Sequence, residues 1–282
     1  MSKYRQPIDD LWWWLLRTEG VTAGFTWRGA GDAMNLTLPR DLRARPTDPW
    51  LRLATAVGAR AIVQGEQVHG GQPGAVTGGP LGDWLVLPQC DAVICTVPGV
   101  AVAVRVADCL PVLLWVPSRV VAVVHAGWRG LVADIVPRTL SQLERMSFPA
   151  GQLSAAFGPR IGLCCFEIGE DVAAKLGALV GGEQHVTRRG HRWFADLAGL
   201  VKEQLIVGGV RPEALVDTGG CTQEDTEYFF SYRRDGGDAG RQVGIAVIPA
   251  GAPRGMSAGR APGRVLVNAH QQTTGPSYDY PG

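Results

Sequence analysis

Cys109 and His125 stand at the two ends of an apolar stretch and are the residues of this chain best placed to do chemistry together. The stretch predicts two buried strands, Val112–Val116 and Val120–Val124, joined by a tight turn. If the hairpin is centred near Pro117, residues whose numbers sum to about 234 lie opposite each other, which pairs Cys109 with His125. Opposed Cβ atoms of an antiparallel pair lie roughly 5 Å apart. The two side chains are therefore predicted to share a metal ion or a hydrogen bond.

Two chemistries and one structural role fit this pair. With a second histidine such as His69, it makes a His₂Cys set that suits Zn²⁺ and leaves a fourth position for water or substrate. Taken alone, however, His69 is more typical of a structural or solvated histidine. Alternatively, Cys109 is a nucleophile activated by His125, for which the adjacent Asp108 is a poor partner because neighbouring strand residues point to opposite faces. As a third possibility, the thiol and the imidazole simply pack in the core, and the spacing alone does not choose.

Two further features bear on function. A helix is predicted to begin directly after the His125 strand, so its first N–H groups and Arg129 are placed to receive an anion. The adjacent Cys164 and Cys165 form a reactive pair or, as we favour, pack a loop against the core. The sequence contains no GxGxxG, GxxxxGK[ST] or HExxH motif and no cytidine-deaminase zinc signature.

The composition predicts a globular protein, with 46% apolar and 19% charged residues in a chain of 282. The 27 basic and 26 acidic side chains nearly cancel, so no basic excess indicates a nucleic-acid partner. The apolar run Leu11–Leu16 is too short for a secretion signal or a membrane span, and its tryptophans predict a packing strand. We therefore expect six reduced cysteines in a cytoplasmic protein without a membrane partner.

The elements that must position these residues alternate between short strands and helices. Strands are predicted at Val21–Trp27, Ala61–Val63, Cys90–Thr96, Leu153–Phe157, Leu215–Asp217 and Gln242–Ile248. Helices are predicted at Leu51–Val57, at Leu131–Arg145 with a kink at Pro137, at Gly169–Val180, and at Leu197–Val207 with Asp196 as N-cap. The run Gly70–Gly82 is predicted to be a surface loop. We predict one α/β domain with mixed sheets at residues 21–249, an N-terminal extension at 1–20 and a flexible tail at 250–282.

Five motifs follow one another along the chain. They are QVHG at Gln67–Gly70, ADCLPVLL at Ala107–Leu114, HAGWRG at His125–Gly130, GPRIGLCCFEIG at Gly158–Gly169, and CT…FFSYRRDGG…GRQVG at Cys221–Gly244. Together they resemble the laccase-domain, YfiH-type proteins, which are described as multicopper polyphenol oxidases or purine nucleoside phosphorylases. The resemblance covers about residues 20–249. It implies a single α/β/β/α domain related to the Cys–His deamidase toxin fold.

The resemblance also implies a zinc site made of His69, Cys109 and His125, which are then the catalytic residues. The implied activity is cleavage of adenosine, inosine, guanosine or methylthioadenosine by phosphate, together with deamination of adenosine. The partners are accordingly small molecules, a purine nucleoside and phosphate. Other descriptions of the family are copper-dependent oxidation of phenols, with copper in place of zinc, and editing in cell-wall peptide synthesis.

The histidine count bears on the copper description. A multicopper oxidase needs several HxH pairs to hold its trinuclear cluster, whereas this chain has five histidines and no HxH. We therefore expect one metal ion per chain and treat the laccase label as a family name rather than a mechanism.

Four other residues are expected to bind substrate. Arg28, Arg129 and Arg233 are candidates to hold phosphate, and Asn35 is a candidate to contact the nucleoside. Arg28 and Asn35 lie where this sequence departs from the family's TR-x-GG-x-S and LNLG runs. Two alternatives stay open: a metal-independent Cys109–His125 hydrolase or amidase acting on cell-wall precursors, and a zinc-bearing binding protein without activity.

Overall fold

The structure of the protein, a computed structural model, describes residues 8–29, 35–36, 47–79 and 82–251, together with the backbone of 265–267. The strands are β1 (Trp12–Arg17), β2 (Thr22–Thr26), β3 (Ala61–Gly65), β4 (Pro73–Val76), β5 (Trp84–Leu87), β6 (Ala92–Cys95), β7 (Val100–Val106), β8 (Leu110–Val116), β9 (Val120–Ala126), β10 (Ser154–Phe157), β11 (Glu167–Ile168), β12 (Val186–Arg189), β13 (Arg192–Ala195), β14 (Leu215–Asp217), β15 (Gln242–Val247) and β16 (Val265–Val267). The α-helices are α1 (Asp48–Val57), α2 (Trp128–Val132), α3 (Ile135–Arg145), α4 (Glu170–Gly177), α5 (Leu197–Val207) and α6 (Tyr232–Asp235).

Two large mixed sheets and one small sheet organise these strands. The six-stranded sheet has the order β1-β2-β15-β7-β3-β5, and the seven-stranded sheet has the order β14-β10-β8-β9-β6-β4-β16. Within the first sheet β3 runs parallel to β5 and β7, whereas β15 runs antiparallel to β7. The small sheet is antiparallel and joins β11, β13 and β12.

The two large sheets pack face to face, and helices cover their outer faces. In β9, Val121 and Val123 lie in the core between the sheets, while Val120, Ala122 and Val124 lie in the core shared with α3 and α5. Because both faces of the strand are buried, it is apolar at nearly every position. Helix α1 covers the far side of the six-stranded sheet. The layers are therefore helix, sheet, sheet and helix, which confirms the predicted mixed α/β architecture.

The central hairpin, β8 and β9, forms as predicted, but its register differs from the prediction. Pro111, and not Cys109, lies opposite His125. The turn is centred one residue later than expected, on Ser118, which adopts a left-handed φ of 62°. Moving the centre of a hairpin by one residue shifts the opposed pairs by two. Cys109 therefore lies just before β8 and reaches His125 diagonally rather than directly.

The helix predicted at Leu131–Arg145 is divided into two helices, α2 and α3. Asp134 lies between them with a left-handed φ of 61° and breaks the helical path. Pro137 causes no kink because it lies in the first turn of α3, where an N–H donor has no intrahelical acceptor. Among the described residues, every helix is too short or too polar to cross a membrane.

The run Gly70–Gly82, predicted to be a surface loop, contains the buried strand β4. It pairs in parallel with β6 on one side and antiparallel with β16 on the other. Its Pro-Gly-Ala-Val sequence is typical of a turn, yet Gly74 lies in close packing, where a Cβ would come within 2.8 Å of Leu87 Cδ1 and 3.0 Å of Cys90 Sγ. The prediction was wrong because close packing against β5, rather than turn formation, accounts for the glycine. β1 and β16 lie inside the predicted extension and tail, whose boundaries stay a prediction.

Candidate metal centre

His69, Cys109 and His125 converge on one point, and we call them the triad. Their ligand atoms all lie within 4.8 Å of one another, and the two imidazole rings meet edge to face with centroids 4.8 Å apart. His125 ends β9, Cys109 precedes β8, and His69 comes from the loop between β3 and β4. The structure therefore brings together the hairpin pair and a third residue that is distant in sequence.

A buried carboxylate that the sequence analysis missed, Asp91, orients the triad. Its Oδ1 atom lies 2.7 Å from His125 Nδ1, and its side chain is fully buried. The hydrogen bond leaves Nε2 as the ring nitrogen of His125 that faces the triad, which is the arrangement common for histidine ligands. No motif marks an aspartate that precedes an apolar strand, so only the tertiary structure identifies this residue.

The same carboxylate fixes the loop that carries His69. The backbone amides of Val68, His69 and Gly70 donate hydrogen bonds to Asp91 at 3.1, 2.9 and 2.8 Å. His69 has a left-handed φ of 58°, an unfavourable conformation for a residue with a side chain. The three amide bonds hold that conformation, so Asp91 positions both histidines of the triad.

A glycine makes room for the thiol. A Cβ on Gly127 would lie 2.7 Å from Cys109 Sγ and 3.4 Å from His69 Cδ2. A contact of 2.7 Å is too short for any real side chain, so either the sulfur or the backbone would have to move. The hairpin register explains this contact, since Gly127 follows β9 directly across from Cys109.

The triad also balances its own charges. Burial alone would raise the pKa of the Cys109 thiol, but the charge of His125 and hydrogen bonds from both histidines lower it to about 6. Burial would lower the pKa of His125, but the charge of Cys109 and the hydrogen bond with Asp91 raise it to about 9. A thiolate beside imidazoles is a preformed set of soft and borderline ligands.

Asp108, which the sequence analysis rejected as a partner of the thiol, serves the neighbouring loops instead. Its Oδ1 accepts a 2.6 Å hydrogen bond from the Thr222 hydroxyl, and its Oδ2 accepts one of 2.6 Å from the Arg233 amide. Its carbonyl accepts a 2.9 Å hydrogen bond from the Ile161 amide. Arg233 is thereby brought next to the residue that precedes Cys109, while its guanidinium donates to the Glu167 carbonyl at 2.9 Å.

Two arginines that the sequence analysis did not single out, Arg105 and Arg241, lie close enough for their charges to interact and form what we call the arginine pair. The backbone N–H and carbonyl of Arg105 exchange two hydrogen bonds with the side chain of Gln67, two residues before His69. Burial and the nearby charge of Arg241 lower the pKa of Arg105 to about 10. Among the described residues, the buried Nε of Arg105 has no hydrogen-bond partner. An arginine inside the apolar strand β7 was the sequence signal for this feature.

Asn35 joins the arginine pair, since its Oδ1 accepts a 3.0 Å hydrogen bond from the Arg241 amide. Arg28 is bonded to the Thr226 carbonyl at 2.7 Å and is set over the ring of Phe230, a residue that hydrogen-bonds to Gln242 next to Arg241. Arg129 is exposed on α2 and stacks on Trp128 with its guanidinium carbon 4.5 Å from the ring centroid. Of the four predicted substrate residues, Arg233 therefore contacts Asp108, which adjoins Cys109 of the triad, whereas the described contacts of Asn35, Arg28 and Arg129 are with residues outside the triad.

A second group of candidate ligands consists of Cys164, Cys165, Cys221 and Glu224, which we call the thiol cluster. Its ligand atoms also lie within 4.8 Å of one another. The expectation of one metal ion per chain counted only histidines. With these cysteines brought together, the ligand count allows a second ion.

Comparison with known proteins gives matches in sequence and in fold. The family of multi-copper polyphenol oxidoreductase laccases matches residues 14–249. A Deinococcus radiodurans protein named purine nucleoside phosphorylase is 36% identical over 240 residues, which cover 81% of this chain and 90% of that protein. A Corynebacterium glutamicum protein, also named a purine nucleoside phosphorylase, is 33% identical over 202 residues, covering 70% of this chain and 79% of that protein.

A solved structure shares the fold. The crystal structure of the Bacillus licheniformis hypothetical protein YfiH matches with a TM-score of 0.73 and 24% sequence identity. The match covers 81% of this chain and 92% of that chain. The helix, sheet, sheet and helix layers are therefore those of YfiH.

Proposed function

The chain belongs to the multi-copper polyphenol oxidoreductase laccase family, and we propose that it is a zinc-dependent purine nucleoside phosphorylase with its active site at the triad. The names of its relatives support the reaction class, since two of them are called purine nucleoside phosphorylases. The observation that carries the proposal is the convergence of His69, Cys109 and His125, whose ligand atoms all lie within 4.8 Å of one another.

The triad fits a metal ion by its chemistry. Two imidazole nitrogens and one thiolate suit Zn²⁺, and three protein ligands leave a fourth position open, as in catalytic zinc sites. When bound there, zinc supplies a Lewis acid for the substrate oxygens or lowers the pKa of a bound water. With five histidines and no HxH, the chain lacks the ligands of a trinuclear copper cluster, so we propose zinc rather than copper.

The arginine pair is the proposed phosphate site. Two guanidinium groups repel each other unless an anion lies between them, and this repulsion contributes to the lowered pKa of Arg105. Guanidinium groups bind phosphate through paired N–H donors. In phosphorolysis a phosphate oxygen bonds to C1′ of the pentose as the C1′–N9 bond breaks, and the departing base takes up a proton. The arginine pair would hold the phosphate for this attack, and Asn35 and Arg233 would border the nucleoside.

The experiment incubates the purified protein with inosine or adenosine, with and without phosphate, and separates the products. We expect free base and pentose 1-phosphate only when phosphate is present. Inosine formed from adenosine without phosphate would report the proposed deamination in the same assay. Cys109→Ala should lose the metal ion of the triad and turnover, while Cys95→Ala, which changes a buried thiol in the core between the sheets, should keep both. Full turnover by Cys109→Ala protein with no metal ion at the triad would contradict the proposal.

One observation favours a second candidate, a metal-independent Cys–His hydrolase or amidase. Without a metal, the thiol of Cys109 has a pKa of about 6, so it is a thiolate at neutral pH and a competent nucleophile. Chelation would then leave the activity intact, and alkylation of the chelated protein would abolish it. Loss of activity on chelation, with recovery on adding zinc, favours the phosphorylase instead.

A further inference from the structure

We infer that the thiol cluster is a second, structural zinc site that clamps two loops beside the active site. Its four ligands are Cys164 and Cys165 from the loop after β10 and Cys221 and Glu224 from the loop after β14. The two loops are separated by more than fifty residues, so their ligands meet only in the folded chain.

The distances between the ligand atoms fit tetrahedral coordination of one ion. Cys164 Sγ lies 3.5 Å from Cys221 Sγ and 3.3 Å from Glu224 Oε2. Zn–S bonds of about 2.3 Å in a tetrahedron place two sulfur ligands about 3.8 Å apart. All four ligand atoms lie within 4.8 Å of one another, so an ion at their centre requires only small side-chain movements.

The local backbone is arranged to present these ligands. Cys221 and Glu224 have the C-x₂ spacing that pairs ligands on one side of structural zinc sites. Cys165 and Phe166 both donate amide hydrogen bonds of 2.9 Å to the Gly162 carbonyl, which forms the tight turn that carries Cys164. A Cβ at Gly162 would lie 3.1 Å from Cys164 Sγ, so glycine leaves room for the sulfur there.

Hydrogen bonds to the sulfur support a thiolate ligand. The Gly162 amide donates to Cys221 Sγ at 3.3 Å. A backbone N–H aimed at sulfur stabilises the deprotonated form, which is the form that binds metal. The Cys221 amide in turn donates to Asp225 Oδ2 at 2.8 Å, so the ligand is held from both sides as metal ligands commonly are.

Four protein ligands indicate a structural role rather than a second reaction centre. A closed tetrahedron leaves no position for substrate, unlike the triad. Cys164 and Glu224 are exposed, which gives an ion a route from solvent. Both loops bind Asp108, one through the Ile161 amide and the other through the Thr222 hydroxyl. An ion in the thiol cluster would therefore fix the two loops that bind Asp108, and with them the position of Arg233.

The test measures zinc per chain by native mass spectrometry after purification with added zinc and removal of the excess. We expect two ions in the unmodified protein, one in Cys109→Ala, one in Cys221→Ser and none when both changes are combined. In Cys109→Ala protein loaded with Co²⁺, thiolate-to-cobalt charge-transfer bands should appear and should vanish with the further change Cys221→Ser. Because Cys109→Ala removes the triad, this count does not depend on any enzymatic activity.

Two results would overturn the inference. One is Cys109→Ala protein that is folded by circular dichroism but holds no zinc or Co²⁺. The other is an intact mass that is lower by two hydrogens in the absence of reductant, with Cys164 and Cys221 linked and no ion bound, which identifies a disulfide pair. If the zinc counts were as predicted but no nucleoside were turned over, the structural zinc site would be supported and only the proposed phosphorylase activity would be contradicted.

Discussion

The triad and the thiol cluster use similar ligands in opposite electrostatic settings. In the triad, imidazole charge lowers the pKa of Cys109 to about 6. In the thiol cluster, burial together with the hydrogen bonds that the Cys164 thiol makes as donor to Cys165 and Cys221 raises the pKa of Cys164 above its ordinary value, and burial does the same for Cys165. The triad is charge-balanced by its own residues, whereas the thiol cluster needs a cation. A preorganised site suits turnover, and a site completed by its ion suits a structural clamp.

The two sites also differ in how they are supported. A single buried carboxylate, Asp91, holds His69 and His125 through four hydrogen bonds. The thiol cluster is held by loop backbone and lies at the surface. Changes at the triad should therefore reduce turnover more than stability, and changes at the thiol cluster should do the reverse.

The largest loss of turnover from a change outside the triad is expected for Gly127→Ala. The added Cβ would lie 2.7 Å from Cys109 Sγ and would push the sulfur away from the two imidazoles. A displacement of about 1 Å at a reacting centre costs on the order of 100-fold in rate. Steady-state kinetics with inosine and phosphate measure the loss. The matched control is Gly177→Ala at the end of α4, where a Cβ meets nothing within 4 Å. Equal activity of the two variants would contradict the close packing of the sulfur.

Asp91→Asn should reduce turnover somewhat less than Gly127→Ala does. The amide can still accept from His125 Nδ1 through its oxygen, but its NH₂ group then faces backbone donors of the His69 loop. Loss of a group that orients a metal ligand typically costs roughly 10- to 100-fold in metal affinity or activity. Zinc affinity and kcat should fall together, because one group holds both histidines.

The control for this change is Asp217→Asn, which removes a carboxylate bonded to Arg160 in the loop that leads to the thiol cluster. It should leave zinc affinity at the triad unchanged. If Asp91→Asn also left zinc affinity unchanged, Asp91 would not be the orienting group.

Cys221→Ser should lower stability and spare most of the turnover. A ligand at about 100 times its dissociation constant stabilises the folded state by about 2.7 kcal/mol, which shifts the melting temperature of a chain of this size by roughly 5 °C or more. A chelator should lower the melting temperature of Cys109→Ala protein, but not that of protein carrying both changes. A chelator effect that persists in the protein carrying both changes would show that the stabilising ion is not bound at the thiol cluster.

The smallest effect is expected for Asp217→Asn on stability. Asp217 pairs with Arg160 through two hydrogen bonds of 2.6 and 2.8 Å, but its side chain is 47% exposed, and exposed pairs contribute about 0.2–1 kcal/mol. Despite burial, Arg160 lowers the pKa of Asp217. The contribution is therefore complete above the unfolded pKa of about 4 and disappears as the pH falls through the lower folded value. Urea unfolding at pH 7 and pH 3 should show the difference between the two proteins shrinking in acid.

Sequence reasoning succeeded where the signal was local. Asp196 caps α5 as predicted and accepts a hydrogen bond from the Ala198 amide at 3.0 Å, and α5 spans the predicted Leu197–Val207. The apolar strands of the hairpin were also evident, because both faces of each strand are buried. The register was wrong by two residues because it depends on the left-handed conformation of Ser118, which composition does not reveal.

The parts of the sites that the sequence did not reveal depend on contacts between distant segments. Asp91 lies 34 residues from His125 in sequence, and nothing in the residues around it distinguishes it from a strand-flanking aspartate. Cys164 and Cys221 are 57 residues apart, so their proximity follows from the pairing of β10 with β14 and from the bridge between Arg160 and Cys221. The role of His69 was supplied by the family resemblance, because a lone histidine at a strand end is uninformative.

The most direct test of the proposed active site is turnover of inosine with phosphate while zinc is titrated into metal-free Cys221→Ser protein, in which the thiol cluster has lost one of its four ligands and the triad keeps all three. We predict that release of hypoxanthine rises in proportion to added zinc and levels off at one equivalent per chain. Full turnover before any zinc is added, or no turnover at one bound equivalent, would contradict a zinc-dependent phosphorylase centred on His69, Cys109 and His125.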